Sequence, residues 1–158
     1  MSGKHEITIA NILESAEALR RTVEMAPADL LDRRPAEGEW SVSEILAHVR
    51  NVVMLAYGQR IRRLFVESEP QFVDYDEGRY LRSADWRPLQ ARESLDMILA
   101  EHRQIAALLG TLPGEAWSRA GYHPESGALT IEYLAQRIAE HAEEHQRQIA
   151  ETLRLLSA

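Results

Sequence analysis

Three histidines occupy positions where a helical repeat of apolar residues predicts leucine or isoleucine. When the repeat is placed with Ile138 in the core, His141 and His145 fall on the same buried seam. Residues four apart on a helix lie one turn apart on one face, so a single metal ion can bind both rings. His48 follows Ile45 by three residues, which directs it inward on an earlier helical stretch. The three rings are therefore predicted to face the interior of a helical bundle.

A shared divalent metal ion accounts for these inward histidines. A buried imidazole without a hydrogen-bond partner is costly, and one ion would give all three rings a partner. Three histidine ligands leave coordination positions open, which is typical of catalytic rather than structural zinc sites. The alternatives are core histidines that bond to backbone carbonyls, or a vestigial cluster that only packs. We predict a metal site formed by His48, His141 and His145.

Three further side chains are candidates for a place behind the ligands or in the pocket. His102 lies on an apolar stripe between Leu99 and Ile105. We interpret it as a core histidine or one that supports the ligands, and the alternative is that it is a fourth ligand. His123 belongs to a loop that could approach the mouth of the bundle, and Glu144 neighbours a ligand in sequence. No residue is assigned as the catalytic acid or base.

Two known metal motifs share part of this pattern but do not fit. The stretch 141–145 matches H-x-x-E-H of the inverzincin proteases, yet those enzymes need an acidic ligand far downstream and only 13 residues follow. Di-iron bundles need Glu-x-x-His on two helices. The residues three positions before the four inward histidines are all apolar: Ile45, Leu99, Ile138 and Ala142.

Composition restricts the chemistry further. The 158 residues include no cysteine, which excludes disulfides, thiolate-bound metals and a cysteine nucleophile. The net charge of −7 argues against a nucleic-acid partner. No apolar run approaches the ~18 residues of a membrane span, and residues 1–9 lack a signal-peptide core. We expect a cytoplasmic protein that acts on a small molecule.

Four amphipathic helices are the elements that must position the histidines. Ala, Leu, Glu and Arg dominate the sequence, and all four favour helix. Apolar spacing predicts helices over about 8–25, 42–67 and 88–112, and from 131 nearly to the C-terminus. His5 is expected in a tail ahead of the first helix. No strand pattern competes, so a single domain over residues 1–158 is predicted to be an all-α, antiparallel four-helix bundle.

Capping signals mark the start of the second and fourth helices. Ser41 and Glu44 are spaced as a capping box, in which each side chain bonds the other residue's backbone N–H. Trp40 and Ile45 flank this box as a hydrophobic staple. Thr130 is the predicted N-cap of the last helix.

The ordered set of these motifs resembles the DinB/YfiT-like family of metal-dependent bundle proteins. The resemblance rests on WSVSEILAH at 40–48, GYHPESG at 121–127 before Thr130, and EHAEEH at 140–145 followed by Gln148 and Ile149. It covers about residues 7–156. It implies a four-helix bundle with an up-down-down-up connection, often dimeric, and the long loops predicted at 69–87 and 113–129 suit that crossover.

The same resemblance implies a ligand triad and a type of chemistry. His48, His141 and His145 would bind zinc, nickel or a similar divalent ion. Many members carry Asp after the first ligand of the last helix, whereas this chain has Ala142, so no supporting carboxylate is implied there. Family activities are mainly thiol chemistry, namely S-transferases that use low-molecular-weight thiols such as bacillithiol or mycothiol, and a mycothiol-dependent maleylpyruvate isomerase.

The sequence thus supports two hypotheses from different functional classes. The leading one is a metal-dependent thiol S-transferase, or a related metal-assisted transferase or hydrolase, acting as a homodimer. Because the chain has no cysteine, the thiol would have to be a cosubstrate. The alternative is a non-enzymatic, dimeric stress-response or binding module in which the metal is structural.

Overall fold

The computed structural model describes residues 3–82 and 90–158, and over this part of the chain it contains six α-helices and one β-hairpin. The helices are α1 (Gly3–Glu24), α2 (Val42–Val52), α3 (Gln59–Val66), α4 (Glu77–Arg82), α5 (Ala91–Gly110) and α6 (Ile131–Leu156). The hairpin pairs β1 (Ala120–His123) with β2 (Gly127–Thr130) in antiparallel register. A π-helical segment, Val53–Gly58, joins α2 and α3 into one continuous rod. None of the helices described is long and apolar enough to cross a lipid bilayer.

The bundle consists of α1, the α2–α3 rod, α5 and α6. Helix α1 packs on α5 and α6, and the rod packs on the same two helices from the other side. Lys4 pairs with Glu132 near the start of α1 and of α6, and Gln146 donates to Thr22 further along both helices at 2.9 Å. Helices α1 and α6 are therefore parallel neighbours.

The rod and α5 form the second parallel pair. Arg50 donates to Ser94 at 3.1 Å, and further along both elements Arg62 forms an ion pair with Glu101. The rod and α5 follow one another in the chain, and parallel neighbours cannot be joined by a short turn, so a long crossover is required between these two elements.

The two parallel pairs run in opposite directions. His48 near the start of the rod meets His145, whereas Tyr57 further along the rod meets Arg137, which lies earlier on α6. The rod is therefore antiparallel to α6. This arrangement confirms the four-helix bundle and its up-down-down-up topology.

The apolar core forms two clusters along the bundle axis. One surrounds Trp117 and Ile131, and the other surrounds Leu46 and Ile149. Each fully buried Leu or Ile contributes roughly 1.5–3 kcal/mol to folding. His141 lies on α6 between residues of the first cluster and residues of the second, so both clusters hold the helix segment that carries it.

The predicted helix caps are present. The Glu44 backbone N–H donates to the Ser41 hydroxyl at 3.2 Å, and the Ser41 N–H donates to the Glu44 carboxylate at 2.9 Å. Tyr133 N–H donates to the Thr130 hydroxyl at 3.1 Å. Both caps satisfy backbone donors that the first helical turn leaves unpaired.

The expectation that the chain lacks strands is wrong for the second loop. Residues 113–129 contain a 3-10 turn, Gly114–Ser118, and the β-hairpin, whose turn includes Gly127 at φ +72°. Each strand has only four residues, too short for alternation of apolar and polar residues to be recognised in the sequence.

Two other local expectations also need correction. The loop predicted at 69–87 contains the short helix α4, and α1 begins at Gly3 rather than near residue 8. His5 therefore lies on α1 rather than in a tail, and its ring stacks on Trp117 at 4.1 Å. The predicted start of the third helix at Pro88 lies outside the described residues.

Gly58 at the end of the π-helical segment allows the rod to approach α5 closely. A Cβ there would lie 2.6 Å from the Val53 carbonyl oxygen and would collide with the Glu101 carboxylate. Only glycine fits this contact without displacing the Arg62–Glu101 ion pair. Wide π turns of this kind occur often near functional sites.

Candidate metal centre

The three predicted ligands converge in the bundle interior. The ring centroids of His48, His141 and His145 lie between 4.4 and 5.0 Å apart. One nitrogen from each ring lies within 4.8 Å of the other two. The structure therefore brings together three side chains from two helices that are distant in sequence.

The outward ring nitrogens are held by side chains that accept hydrogen bonds. His48 Nδ1 contacts the Glu77 carboxylate, and His145 Nδ1 lies 2.7 Å from the Gln148 side-chain oxygen. Since these oxygens accept, Nδ1 carries the proton in both rings and Nε2 presents a lone pair. Metal-binding histidines commonly donate their second N–H to an oxygen in this way.

The inward nitrogens match the spacing expected of ligands to one ion. His48 Nε2 and His141 Nε2 are 3.1 Å apart. Two imidazoles bound to one tetrahedral metal at ~2.0–2.1 Å place their nitrogens about 3.3 Å apart. The His48 lone pair needs a proton or a cation facing it, and an imidazole donor set is suited to a divalent transition metal. The residues present therefore fit such an ion.

Burial keeps two of the three rings, those of His141 and His145, uncharged. Removal from water lowers the pKa of His141 to about 3, and the neighbouring rings and Arg137 oppose protonation further. Burial also lowers the pKa of His145. Because only the neutral imidazole binds metal, both rings are in the form that binding requires at neutral pH.

Aromatic and charged side chains surround the triad. Trp40 lies 5.4 Å from His48, and Tyr57 lies 5.9 Å from His141 in an edge-on contact. The Arg137 guanidinium hydrogen-bonds the Tyr57 hydroxyl. These groups provide an apolar surface and a polar hydrogen-bonding pair beside the ligands.

The sequence interpretation missed Glu77, Tyr57 and the role of Gln148. Tyr57 follows His48 by nine residues, about two and a half α-helical turns, which would place it on the opposite face. The wider turns of the π-helical segment bring it back toward His141. Gln148 could have been recognised, because a residue three positions after His145 lies on the same face. Glu77 is one of several acids in a predicted loop, and spacing does not distinguish it.

His102 does not join the cluster of three ligands found in the described residues. It is almost fully buried, and its Nδ1 lies 2.9 Å from the Ile98 carbonyl oxygen, one turn earlier on the same helix. Burial lowers its pKa to about 4. Its Nε2 has no hydrogen-bond partner in the part of the chain described. This geometry is that of a core histidine bonded to its own helix.

The other two candidates lie outside the cluster of three histidines among the described residues. His123 ends β1, and its Nε2 is 2.9 Å from an Asp74 carboxylate oxygen. Glu144 is half-exposed and lies 3.5 Å from Arg137. Glu144 thus contacts the guanidinium that bonds Tyr57, and its charge also acts to raise the pKa of His145 against the larger effect of burial.

Sequence comparison finds one family and several named relatives. The profile of the DinB superfamily matches residues 12–149. YfiT of Bacillus subtilis, by name a candidate metal-dependent hydrolase, is 28% identical over 145 residues, which cover 90% of this chain and 81% of that protein. A relative from Oceanobacillus iheyensis with the same description is 29% identical over 137 residues, covering 87% and 78% of the two chains.

Solved structures agree with the bundle topology. The structure of YfiT from Bacillus subtilis, described as an unusual four-helix bundle, superposes with a TM-score of 0.85 at 25% identity and covers 99% of this chain and 90% of that one. The four-helix bundle protein TT2238 superposes with a TM-score of 0.62 at 18% identity, over 93% and 98% of the two chains, and supports the fold alone.

Proposed function

The chain belongs to the DinB superfamily, and from that premise we propose that it is a metal-dependent enzyme whose His48, His141 and His145 hold one divalent ion. One observation carries the proposal: the inward nitrogens of the three rings converge while the outward Nδ1 atoms of two of them are already hydrogen-bonded. Zinc and nickel are the favoured ions, because both bind imidazole readily.

A divalent ion held by three neutral imidazoles keeps its full positive charge and supplies a Lewis acid that activates water or a thiol. The protein side chains would do the rest. Trp40 beside His48 would exclude water from one side of the site. The Tyr57 hydroxyl and the Arg137 guanidinium would orient an anionic or polar group of the substrate beside His141.

We propose transfer to a low-molecular-weight thiol as the leading activity. The thiol must be a cosubstrate, because the chain has no cysteine. Hydrolysis of a small molecule is the second candidate, and the names of the Bacillus and Oceanobacillus relatives favour it.

Metal analysis of protein purified without a histidine tag tests the site. After loading with zinc or nickel and removal of free ion, we expect one metal ion per chain by mass spectrometry. Replacement of all three ligands by alanine should abolish this stoichiometry, whereas His102→Leu, which changes another buried histidine, should retain it. Absence of stoichiometric metal in the wild type, or its retention in the triple variant, would disprove the proposal.

A paired activity assay separates the two reactions. The loaded protein is incubated with an alkyl halide plus a low-molecular-weight thiol, and separately with an activated ester in water. Metal-dependent thioether formation would support the transferase, and metal-dependent ester cleavage would support the hydrolase. If metal raises the melting temperature but neither product forms with any substrate of these classes, the structural-metal alternative is favoured.

A further inference from the structure

We propose that His123 is a positioning residue for the metal centre, acting at a distance through Asp74 and Glu77. The inference rests on the proposed metal site and extends it to the β-hairpin. Residues 70–76, termed here the connecting segment, run from the hairpin to Glu77, the residue that contacts His48 Nδ1.

Backbone hydrogen bonds fasten the start of the connecting segment to β1. Phe72 N–H donates to the Tyr122 carbonyl oxygen at 2.7 Å, and Tyr122 N–H donates to the Pro70 carbonyl oxygen at 2.9 Å. Gln71 thereby forms a parallel β-bridge with Tyr122. The connecting segment acts as a short third strand at the edge of the hairpin.

Side-chain packing fastens the same stretch to the bundle. The Phe72 ring is buried, and the guanidinium carbons of Arg60 and Arg63 lie 5.7 and 5.6 Å from its centroid. Gly121 lies against this ring, and a Cβ there would collide with it and approach the Pro70 carbonyl oxygen to 2.8 Å. Glycine at 121 is therefore required for the segment to lie flat on β1.

Two further hydrogen bonds extend this attachment along the segment. Arg63 donates to the Gln71 carbonyl oxygen at 2.8 Å, and Arg60 donates to the Val73 carbonyl oxygen at 3.0 Å. Both arginines belong to α3, so the segment is held between the hairpin and the α2–α3 rod.

The His123–Asp74 pair is a further anchor of the connecting segment. His123 Nδ1 accepts from the backbone N–H groups of Glu125 and Ser126, each at 3.3 Å. Nδ1 therefore has no proton, and Nε2 must carry it and donate to Asp74 at 2.9 Å. The turn of the hairpin thus selects the tautomer that can bind the connecting segment.

The chain between Asp74 and Glu77, the residue that contacts His48, is short. Asp74 and Glu77 are three residues apart, which an extended chain spans in at most about 11 Å. Between them, the Asp76 carboxylate accepts a hydrogen bond from the Arg79 N–H at 2.9 Å. Asp76 directly precedes α4, which begins at Glu77. A shift of Asp74 would therefore displace Glu77 from His48 Nδ1.

A double-mutant cycle on metal affinity tests this coupling. The variants are Asp74→Ala, His123→Leu, Glu77→Ala, and the double variant that combines Asp74→Ala with Glu77→Ala. Asp74 is 62% exposed, so its replacement should leave the fold intact even if His123→Leu does not. Asp96→Ala, another exposed acid, is the matched control.

The readouts are the Zn²⁺ dissociation constant from competition with a chelating dye, the visible absorption spectrum of the Co²⁺-loaded protein, and the melting temperature. Loss of a side chain that orients a metal-binding histidine costs ~10–100-fold in affinity. We expect Asp74→Ala, His123→Leu and Glu77→Ala each to weaken Zn²⁺ binding about 10-fold and to alter the Co²⁺ spectrum. The double variant should bind no more weakly than Glu77→Ala alone.

Other outcomes would overturn the inference. If Asp74→Ala binds Zn²⁺ like the wild type and like Asp96→Ala, the pair has no positioning role. If the losses in the double variant multiply in full, Asp74 does not act through Glu77. If the wild type itself binds no metal, both the proposed function and this inference fail. In the other two outcomes the wild type still binds metal, so only this inference fails.

Discussion

The three histidines of the proposed metal site and His102 all lie in the interior of one bundle. Their hydrogen-bond partners differ. In the triad, Nδ1 of two rings is bonded to side-chain oxygens and the Nε2 atoms of His48 and His141 face each other at 3.1 Å. In His102, Nδ1 lies 2.9 Å from the carbonyl oxygen of Ile98 on its own helix, and Nε2 has no partner among the described residues.

The difference shows which feature would distinguish a metal-binding histidine from a core histidine. Burial lowers the pKa of both His141 and His102, to about 3 and about 4, so a depressed pKa does not separate the two cases. Convergence of the inward nitrogens of three rings, two of them held by a side-chain oxygen at the other nitrogen, does separate them. The following predictions test that distinction, from the largest expected effect to the smallest.

Removal of one ligand should have the largest effect. His141→Ala takes away one of the three rings and should weaken Zn²⁺ binding by more than the ~100-fold that loss of a supporting residue can cost. His102→Leu should leave the affinity within about twofold of wild type, because it lies outside the cluster. Competition titration with a chelating dye measures both, and similar losses in the two variants would contradict the comparison.

Metal should stabilise the fold in full only when the triad is complete. At a free Zn²⁺ concentration about 1,000 times the dissociation constant, binding to the folded state adds about 4 kcal/mol. For a domain of this size that corresponds to a rise in Tm of roughly 8–16 °C. Calorimetry with Zn²⁺ and with chelator should give this rise for the wild type and for His102→Leu, and a rise of at most roughly 3–6 °C for His141→Ala, whose affinity is more than ~100-fold weaker.

His102 should control part of the acid sensitivity of the metal-free protein. Its pKa is near 6.5 in the unfolded chain and about 4 in the folded protein. Below pH 6.5 the unfolded state therefore binds a proton that the folded state does not, and stability falls as the pH drops toward 4. At pH 5 this amounts to about 2 kcal/mol.

His102→Leu should remove that contribution. Urea unfolding in chelator, measured from pH 7.5 to pH 4.5, should give a shallower loss of stability for the variant than for the wild type. His102 also opposes protonation of His141, so the difference between the two curves reports His102 together with its effect on His141. Parallel curves would mean that His102 is protonated in the folded state at pH 5.

The smallest effect is expected from the hydrogen bond behind His145. Gln148→Leu removes the acceptor 2.7 Å from His145 Nδ1 and should weaken Zn²⁺ binding about 10-fold. Gln136→Leu replaces another half-buried glutamine of α6 away from the triad and should leave the affinity unchanged. An equal loss in both variants would assign the effect to α6 itself rather than to the ring orientation.

The helices and their caps could be predicted from the sequence because their signals are local. Ser41 and Glu44 form the expected capping box, and Thr130 caps α6. The inward direction of the triad followed from the same helical period. The up-down-down-up connection was implied by the family resemblance rather than by spacing, since apolar spacing alone does not define how the helices connect.

The supporting side chains could not be predicted, because their positions depend on non-local geometry. Glu77 reaches His48 only through a segment that folds against the hairpin, and Tyr57 faces His141 only because a π-helical segment turns the rod. The hairpin strands are too short for sequence periodicity. The sequence thus predicted three histidines that the fold brings together and omitted most of what orients them.

The separation of His48 from His141, 93 positions in the chain, has a consequence for how the bundle is held together. Coordination by both residues would cross-link the first and last parts of a cysteine-free chain across a loop almost as long as the ~100-residue loop for which a disulfide contributes about 4.7 kcal/mol. A disulfide persists after unfolding and restricts the unfolded chain, whereas these bonds form only between docked helices. The ion would therefore act as a reversible cross-link, which a chelator removes without breaking a covalent bond.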